Sequence, residues 1–181
     1  MKELSLYILD ITMNSVKAGA EHISVSIDET DRVLTFSVTD DGCGMTAEQV
    51  EKLSDPFFTT RTTRNVGLGV PFLRMLAEQT GGEVKITSKS EKEYEDHGTT
   101  LTATFHEDSI DFVPLGDIVS TVVTLIQGSP DIDFDFTHTK EGMTVSLRTS
   151  ELREVLGGVP LSEPEVLAWI GEYLGEQYEQ I

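Results

Sequence analysis

Residues 32–46 read RVLTFSVTDDGCGMT. From Arg32 to Thr39 the side chains alternate, with Val33, Thr35, Ser37 and Thr39 set against Leu34, Phe36 and Val38. A period of two is the signature of a half-buried β-strand. The strand runs into Asp40-Asp41-Gly42-Cys43-Gly44-Met45, where two glycines let the backbone turn and approach a ligand closely. Asp-Gly after an alternating run is also an ordinary turn signal. The stretch by itself therefore carries two readings: a plain turn, or a pocket with Asp40 at its base accepting a hydrogen bond from an adenine amino group.

Working outward, Ile23 to Ile27 alternates as well, so a hairpin is expected, turning through Asp-Glu-Thr-Asp at 28–31. Before it, residues 4–17, LSLYILDITMNSVK, place Leu4, Ile8 and Ile11 on one helix face, with Leu9, Met13 and Val16 beside them. Tyr7, Asp10, Asn14 and Lys17 form a polar stripe, and Gly19 is placed to end the helix. Downstream, Thr46 and Gln49 have the spacing of a capping box for a short helix. Residues 55–69 are irregular, and Gly69-Val70-Pro71 opens a helix that stops before Gly81-Gly82. Glu83 to Ser88 and Thr100 to Phe105 form a second strand pair. Beyond residue 107 the pattern predicts a helix near 116–127, strands near 131–137 and 143–148, and a final helix near 163–179.

The chain has 181 residues and a net charge of −19. Such a surface repels phosphate backbones and anionic bilayers, so nucleic-acid and membrane docking are disfavoured. Residues 107–181 hold 3 basic and 15 acidic side chains, a net of −12, so much of the negative charge lies there. A single cysteine, Cys43, excludes an intrachain disulfide and fits a reducing cytoplasm. The N-terminal sequence has no signal-peptide pattern, and no apolar run is long enough to span a bilayer.

Four sequence pieces can carry chemistry. The stripe Asp10, Asn14 and Lys17 offers a carboxylate, a carboxamide and a cation on successive turns. An amide oxygen can ligate Mg²⁺, an ammonium can meet phosphate, and a carboxylate can orient or deprotonate a nucleophile. The competing reading is a solvated helix face. The glycine turn with Asp40 is the second piece. Pro56-Phe57-Phe58-Thr59-Thr60-Arg61 is the third, either core aromatics or a loop anchored over a ligand. Gly67-Leu68-Gly69 is the fourth; it leads into a helix whose free N–H groups and dipole favour an anion, with Arg61 and Arg64 just before it.

Taken in order, these pieces resemble the boxes of the GHKL ATPase superfamily of gyrase, the heat-shock chaperone, histidine kinases and mismatch-repair ATPases. Asp10 to Asn14 resembles the N box, and Asp40, Gly42 and Gly44 match the D-x-G-x-G of the G1 box. Pro56 to Thr60 resembles the F box, Gly67-Leu68-Gly69 the G2 box, and Gly98-Thr99 the final Gly-Thr element. The resemblance covers residues 4–106. It implies an α/β two-layer sandwich, a mixed, mostly antiparallel sheet with helices on one face (the Bergerat fold). Residues 1–106 would be the ATP-binding domain and 107–181 an acidic α/β extension packed on or continuing the same sheet. It implies ATP and Mg²⁺ as cofactors. Asn14 would ligate the metal, Lys17 would contact phosphate, Asp40 would hold the adenine amino group, Met45 would pack on the base and Thr99 would sit near it. Residues 59–69 would be the lid, with Phe58, Thr59, Thr60, Arg61, Arg64, Gly67, Leu68 and Gly69 at the nucleotide.

The Pro-Phe-Phe-Thr-Thr-Arg run and short lid look most like sensor histidine kinases. Those kinases carry a phosphoacceptor histidine on a helical hairpin, for which this sequence leaves no room before the N box. His22, His97, His106 and His138 fall in strands or loops. Asp10 stands where hydrolysing members and anti-sigma serine kinases carry a glutamate base, and is one methylene shorter. The expectation is a stand-alone cytoplasmic kinase, monomer or homodimer, that phosphorylates a partner protein in trans, or else a weak ATPase. The alternative is an ATP-gated protein-binding module or sensor with slow or no hydrolysis; an ATPase driving a larger machine ranks below both.

Overall fold

A computed structural model describes residues 3–53 and 69–181. In chain order the elements are α1 (Leu4–Lys17), β1 (His22–Thr30), β2 (Val33–Asp40), α2 (Ala47–Leu53), α3 (Gly69–Gln79), β3 (Glu83–Lys89), β4 (Gly98–His106), α4 (Ile118–Gly128), β5 (Asp133–Lys140), β6 (Met143–Arg148), α5 (Thr149–Leu156) and α6 (Pro164–Tyr178). Six strands form one sheet in the order β3-β4-β2-β1-β5-β6. Every neighbouring pair is antiparallel except β1 and β5, which run parallel. No described helix is long and apolar enough to cross a membrane.

The period-two alternation decides which face of the sheet is covered. Ile23, Val25 and Ile27 of β1, Leu34, Phe36 and Val38 of β2, Leu101, Ala103 and Phe105 of β4, and Phe134 and Phe136 of β5 are buried together with the helices. The opposite face carries short hydroxyls, matched across strands: Ser26 faces Ser37 and Thr137, and Ser37 faces Thr102. β-Branched and hydroxyl side chains suit an exposed pleat, and several pair directly, as Ser37 and Thr102 do at 3.0 Å. Helices therefore need to cover only one side. The β6 edge is partly closed by Gln177, whose side-chain amide accepts from the Ser146 N–H and donates to the Ser146 carbonyl, each at 3.0 Å.

Helix α1 lies at the centre of the helical layer. Leu4, Ile8 and Ile11 are buried as the spacing predicts. Tyr7, placed by the same spacing on the polar stripe, is buried instead, because it sits within one turn of all three. Its first free N–H groups are satisfied from the far part of the chain: Leu4 donates to the Pro114 carbonyl at 2.9 Å and Ser5 to that of Leu115 at 2.8 Å. At its other end Gly19 takes φ +78°, with Ala20 N–H on the Ser15 carbonyl and Gly19 N–H on that of Val16, a Schellman closure.

Two expectations need correction. The β1–β2 turn is Asp31-Arg32, both at positive φ, and Thr30 pairs with Val33. This two-residue geometry matches the strand twist, so Asp28, Glu29 and Thr30 belong to β1 rather than to the turn, and Arg32 does not begin β2. Glu29 lies in a core position because His138 meets it: His138 Nε2 is 2.6 Å from Glu29 Oε2, and its Nδ1 is 2.7 Å from the Tyr178 hydroxyl. Helix α5, absent from the sequence reading, begins directly where β6 ends and is closed by Gly157 in the left-handed conformation.

The hydrogen bond to His138 holds the Glu29 carboxyl below the usual glutamate range, against burial, which raises it. Its folded-state pKa is thus lower than its unfolded one, so its contribution to stability is present above the ordinary value of 4.5 and is lost as pH falls through the folded value. Glu29→Gln is expected to cost about 1–3 kcal/mol at neutral pH, as for loss of a hydrogen bond to a charged group. In urea titrations the gap from the parent should narrow progressively below that range; a gap independent of pH would exclude an ionised Glu29 as its source.

Candidate nucleotide-binding site

Strand β2 ends on Asp40, and the register sets it between Ile23 of β1 and Thr99 of β4. The two adjacent aspartates do different work. Asp41 Oδ1 accepts from the backbone N–H groups of Glu21 at 2.8 Å and His22 at 3.0 Å, and so pins the start of β1. Asp40 belongs to the core-facing set of β2. Its Oδ2 accepts from the Ser15 hydroxyl of α1 at 2.5 Å, and its Oδ1 accepts from Gly42 N–H at 2.9 Å.

These bonds place the carboxylate in the wall of a cavity of about 500 Å³. Ile11, Val38, Met45, Leu53, Val70, Ile86 and Leu101 give it apolar surface. Asn14, Ser15, Lys17, Asp40, Gln49, Lys52 and Thr99 supply polar groups. A mostly apolar cleft of this size with a few convergent polar groups is the usual form of a small-molecule site.

The glycine turn is held from three sides. Cys43 N–H donates to the Ala18 carbonyl at 2.9 Å, and its own carbonyl accepts from Glu91 N–H at 2.8 Å. The Gly42 carbonyl meets His97 Nδ1. Met45 N–H donates to Ser88 Oγ at 2.7 Å, while Ser88 donates to the Gly98 carbonyl at 3.0 Å and lies 2.7 Å from Thr99 Oγ1. Gly44 has φ +68°, and a Cβ there would collide with the Lys89 carbonyl. After the turn the expected capping box is present: Gln49 N–H donates to Thr46 Oγ1 at 3.3 Å, and Thr46 N–H donates to Gln49 Oε1 at 2.9 Å.

Of the residues expected at the site, Asn14, Lys17, Asp40, Gly44, Met45 and Thr99 line this cavity. Gly42 packs behind it, against Ala18. Asp10 and Gly69 meet each other outside the lining: a Cβ on Gly69 would strike Asp10 Oδ2. Burial lifts the Asp10 carboxyl above the usual aspartate range, and Lys17 partly offsets the rise. Phe58, Thr59, Thr60, Arg61, Arg64, Gly67 and Leu68, with the F box and residues 59–68 of the lid, lie outside the described residues.

The sequence reading passed over Ser15, Ser88, Gln49 as a lining group, and Lys52, which pairs with Glu48 at 3.1 Å. Among the described residues the Asn14 carboxamide has no hydrogen-bond partner, and no group of three His, Cys, Asp or Glu side chains could hold a metal alone. A free amide oxygen beside a cavity fits Mg²⁺, which accepts few protein ligands and completes its shell with water and phosphate.

Two left-handed glycines separate conformational from steric cost. Gly19 has open space around its Cβ position, whereas Gly44 does not. Gly19→Ala should cost about 1 kcal/mol, and Gly44→Ala at least about 2 kcal/mol more, since the Lys89 carbonyl must move. Equal costs in chemical denaturation would contradict the packing described for the turn.

Comparison with known proteins agrees with this architecture. Residues 2–109 match the family described as histidine kinase-, DNA gyrase B- and HSP90-like ATPase. The sensor histidine kinase ZraS of Escherichia coli K12 is 33% identical over 101 residues, which is 55% of this chain and 20% of that protein. Sporulation kinase B of Bacillus subtilis is 28% identical over 103 residues, 55% of this chain and 23% of that protein. The chain thus spans about a fifth of the length of these curated relatives. The ADP complex of the Aquifex aeolicus MutL ATPase domain aligns with a TM-score of 0.53 and 16% identity, over 87% of this chain and 70% of that one. The N-terminal domain of a DNA repair protein gives a TM-score of 0.55 at 14% identity, over 82% and 53% of the two chains. At such identities the shared feature is the fold, the mixed sheet with its helical layer. With the family match spanning residues 2–109, the chain belongs to the histidine kinase-, gyrase B- and HSP90-like ATPase family.

Proposed function

We propose that the chain binds ATP with Mg²⁺ in the cavity between α1, α2 and the ends of β2–β4, and that it passes the γ-phosphate to a separate protein. The observation that carries this reading is Asp40, a carboxylate fixed by Ser15 and Gly42 in the wall of a mostly apolar cleft. Its remaining lone pairs suit the 6-amino group of adenine. Val38, Met45, Ile86 and Leu101 offer the faces of the base apolar surface, and Thr99 stands beside Asp40 in register.

Asn14 and Lys17, three residues apart on α1, both line the cavity and would extend the site along the phosphates. The Asn14 amide oxygen would ligate Mg²⁺, and the Lys17 ammonium would meet a phosphate oxygen. When bound, Mg²⁺ neutralises phosphate charge and polarises the transferred phosphoryl group. Gly69 begins the eleven-residue α3, whose first N–H groups and dipole favour an anion. Thr59, Thr60, Arg61, Arg64, Gly67 and Leu68 of the lid would add further donors.

Asp10 is the group we assign as base. Burial raises its pKa, which makes it a better proton acceptor than an ordinary aspartate. It would take the proton of an acceptor hydroxyl as that oxygen bonds to the γ-phosphorus and the bond to the bridging β–γ oxygen breaks, leaving ADP. The placement of the histidines favours an acceptor outside these 181 residues. His22 pairs with Asp135, His97 braces the glycine turn, His138 is buried between Glu29 and Tyr178, and His106 ends β4. None of the four lies on a helix.

Water can stand in for the acceptor in a single-turnover assay with γ-labelled Mg·ATP. Slow phosphate release is expected, reduced at least about 10²-fold in Asp10→Asn with ATP affinity retained. Because the base acts deprotonated, the rate should fall as pH drops through a value above the usual aspartate range. Release at an unchanged rate in Asp10→Asn would remove Asp10 from the chemistry. ATP that binds but stays intact would favour a nucleotide-gated binding module.

A further inference from the structure

The C-terminal helices carry a second concave surface, far in sequence from the nucleotide cavity. A groove of about 300 Å³ lies between α5, α6 and the edge strand β6. Val155 and Leu152 of α5 and Trp169 and Tyr173 of α6 line it. Val155 is 84% exposed and Trp169 47% exposed. The two aromatic rings stack on each other at 4.8 Å and 10°. Large apolar groups left open on one face of a folded domain mark an interaction surface more often than chance exposure does.

The helix that presents the aromatics also sets the charge. Val166, Ile170 and Leu174 are the buried side of α6. Beside it, on the outward side, Glu165, Trp169, Glu172, Tyr173 and Glu176 fall on one stripe, and all five are exposed. The helix contains no lysine or arginine. Within the groove Arg148 and Glu151 cancel in charge, so the glutamates of α6 determine its sign.

The identity of the occupant follows from two constraints. A second copy of this chain would bring another strongly negative surface to the same place, since residues 107–181 hold 15 acidic and 3 basic side chains. Strand addition at β6 is obstructed at Ser146, whose N–H and carbonyl already bond Gln177. What remains is a segment that inserts apolar side chains beside Val155 while its cations meet the glutamates and the aromatic faces. We propose that this groove docks a basic, amphipathic helical segment of a partner protein.

Trp169 is the only tryptophan, so its emission reports the groove in the full chain. The probe is a leucine/lysine peptide of about 18 residues, five helical turns, with a leucine/glutamate peptide of the same pattern as control. The lysine peptide should shift Trp169 emission to the blue in a saturable titration, and the glutamate peptide should not. Val155→Asp is the deciding variant. It lies on an exposed position, away from the nucleotide cavity, and adds a negative charge. Docking in the groove predicts at least about tenfold weaker binding with unchanged circular dichroism. Attraction by charge alone predicts equal or tighter binding and would overturn the proposal. Equal binding of the glutamate peptide would overturn it too, as would an emission shift with protein concentration alone accompanied by dimer formation in sedimentation.

Discussion

Asp40 is already held by two hydrogen bonds within the chain, from the Ser15 hydroxyl and from Gly42 N–H. The first ties α1 to the end of β2; the second folds the glycine turn back on its own strand. Without them a carboxylate at this place would be free to rotate toward water. With them, one acceptor is fixed in a cleft lined mostly by aliphatic side chains, where a hydrogen bond to a ligand discriminates strongly because an unpaired polar group there is costly. The positions of Asn14 and Lys17 follow from the same contact, since they share α1 with Ser15.

The fold makes that contact reproducible by tying distant parts of the chain together. The first turn of α1 is satisfied by the carbonyls of Pro114 and Leu115, and its start also bonds α4 through Thr121 and the Ser5 carbonyl. Strand β5 joins β1 directly, and β1 in turn flanks β2 at Asp40. The acidic C-terminal residues thus share one sheet and one helical layer with the cavity. Their charge can be tolerated because it is solvated on outer faces, while Lys17 and Lys52 stand at the cavity itself.

The parts of the site legible in the sequence are those set by local chemistry. Asp40 and Gly44 declare themselves as a strand running into a turn that only glycine can complete, and Thr46 with Gln49 as a helix start. What escaped has partners far along the chain. Ser15 is an ordinary helix serine until Asp40, 25 residues on, receives its hydroxyl. Glu29 reads as a turn residue because the His138 that justifies its burial is 109 residues away. Helix α5 begins on the residue after β6, so no break announces it. Asp10 reads as a carboxylate on the stripe of Asn14 and Lys17, and the fold sets it against Gly69, outside the cavity lining.

In the proposed function, Asp40 reads the 6-position of a purine. Calorimetric titration of the chain with Mg·ATP and Mg·GTP addresses it directly, because adenine offers an amino donor where guanine offers a carbonyl acceptor. ATP should bind, with GTP weaker by at least about 10²-fold, as expected when a buried acceptor faces another acceptor. Equal affinity for the two nucleotides would contradict it.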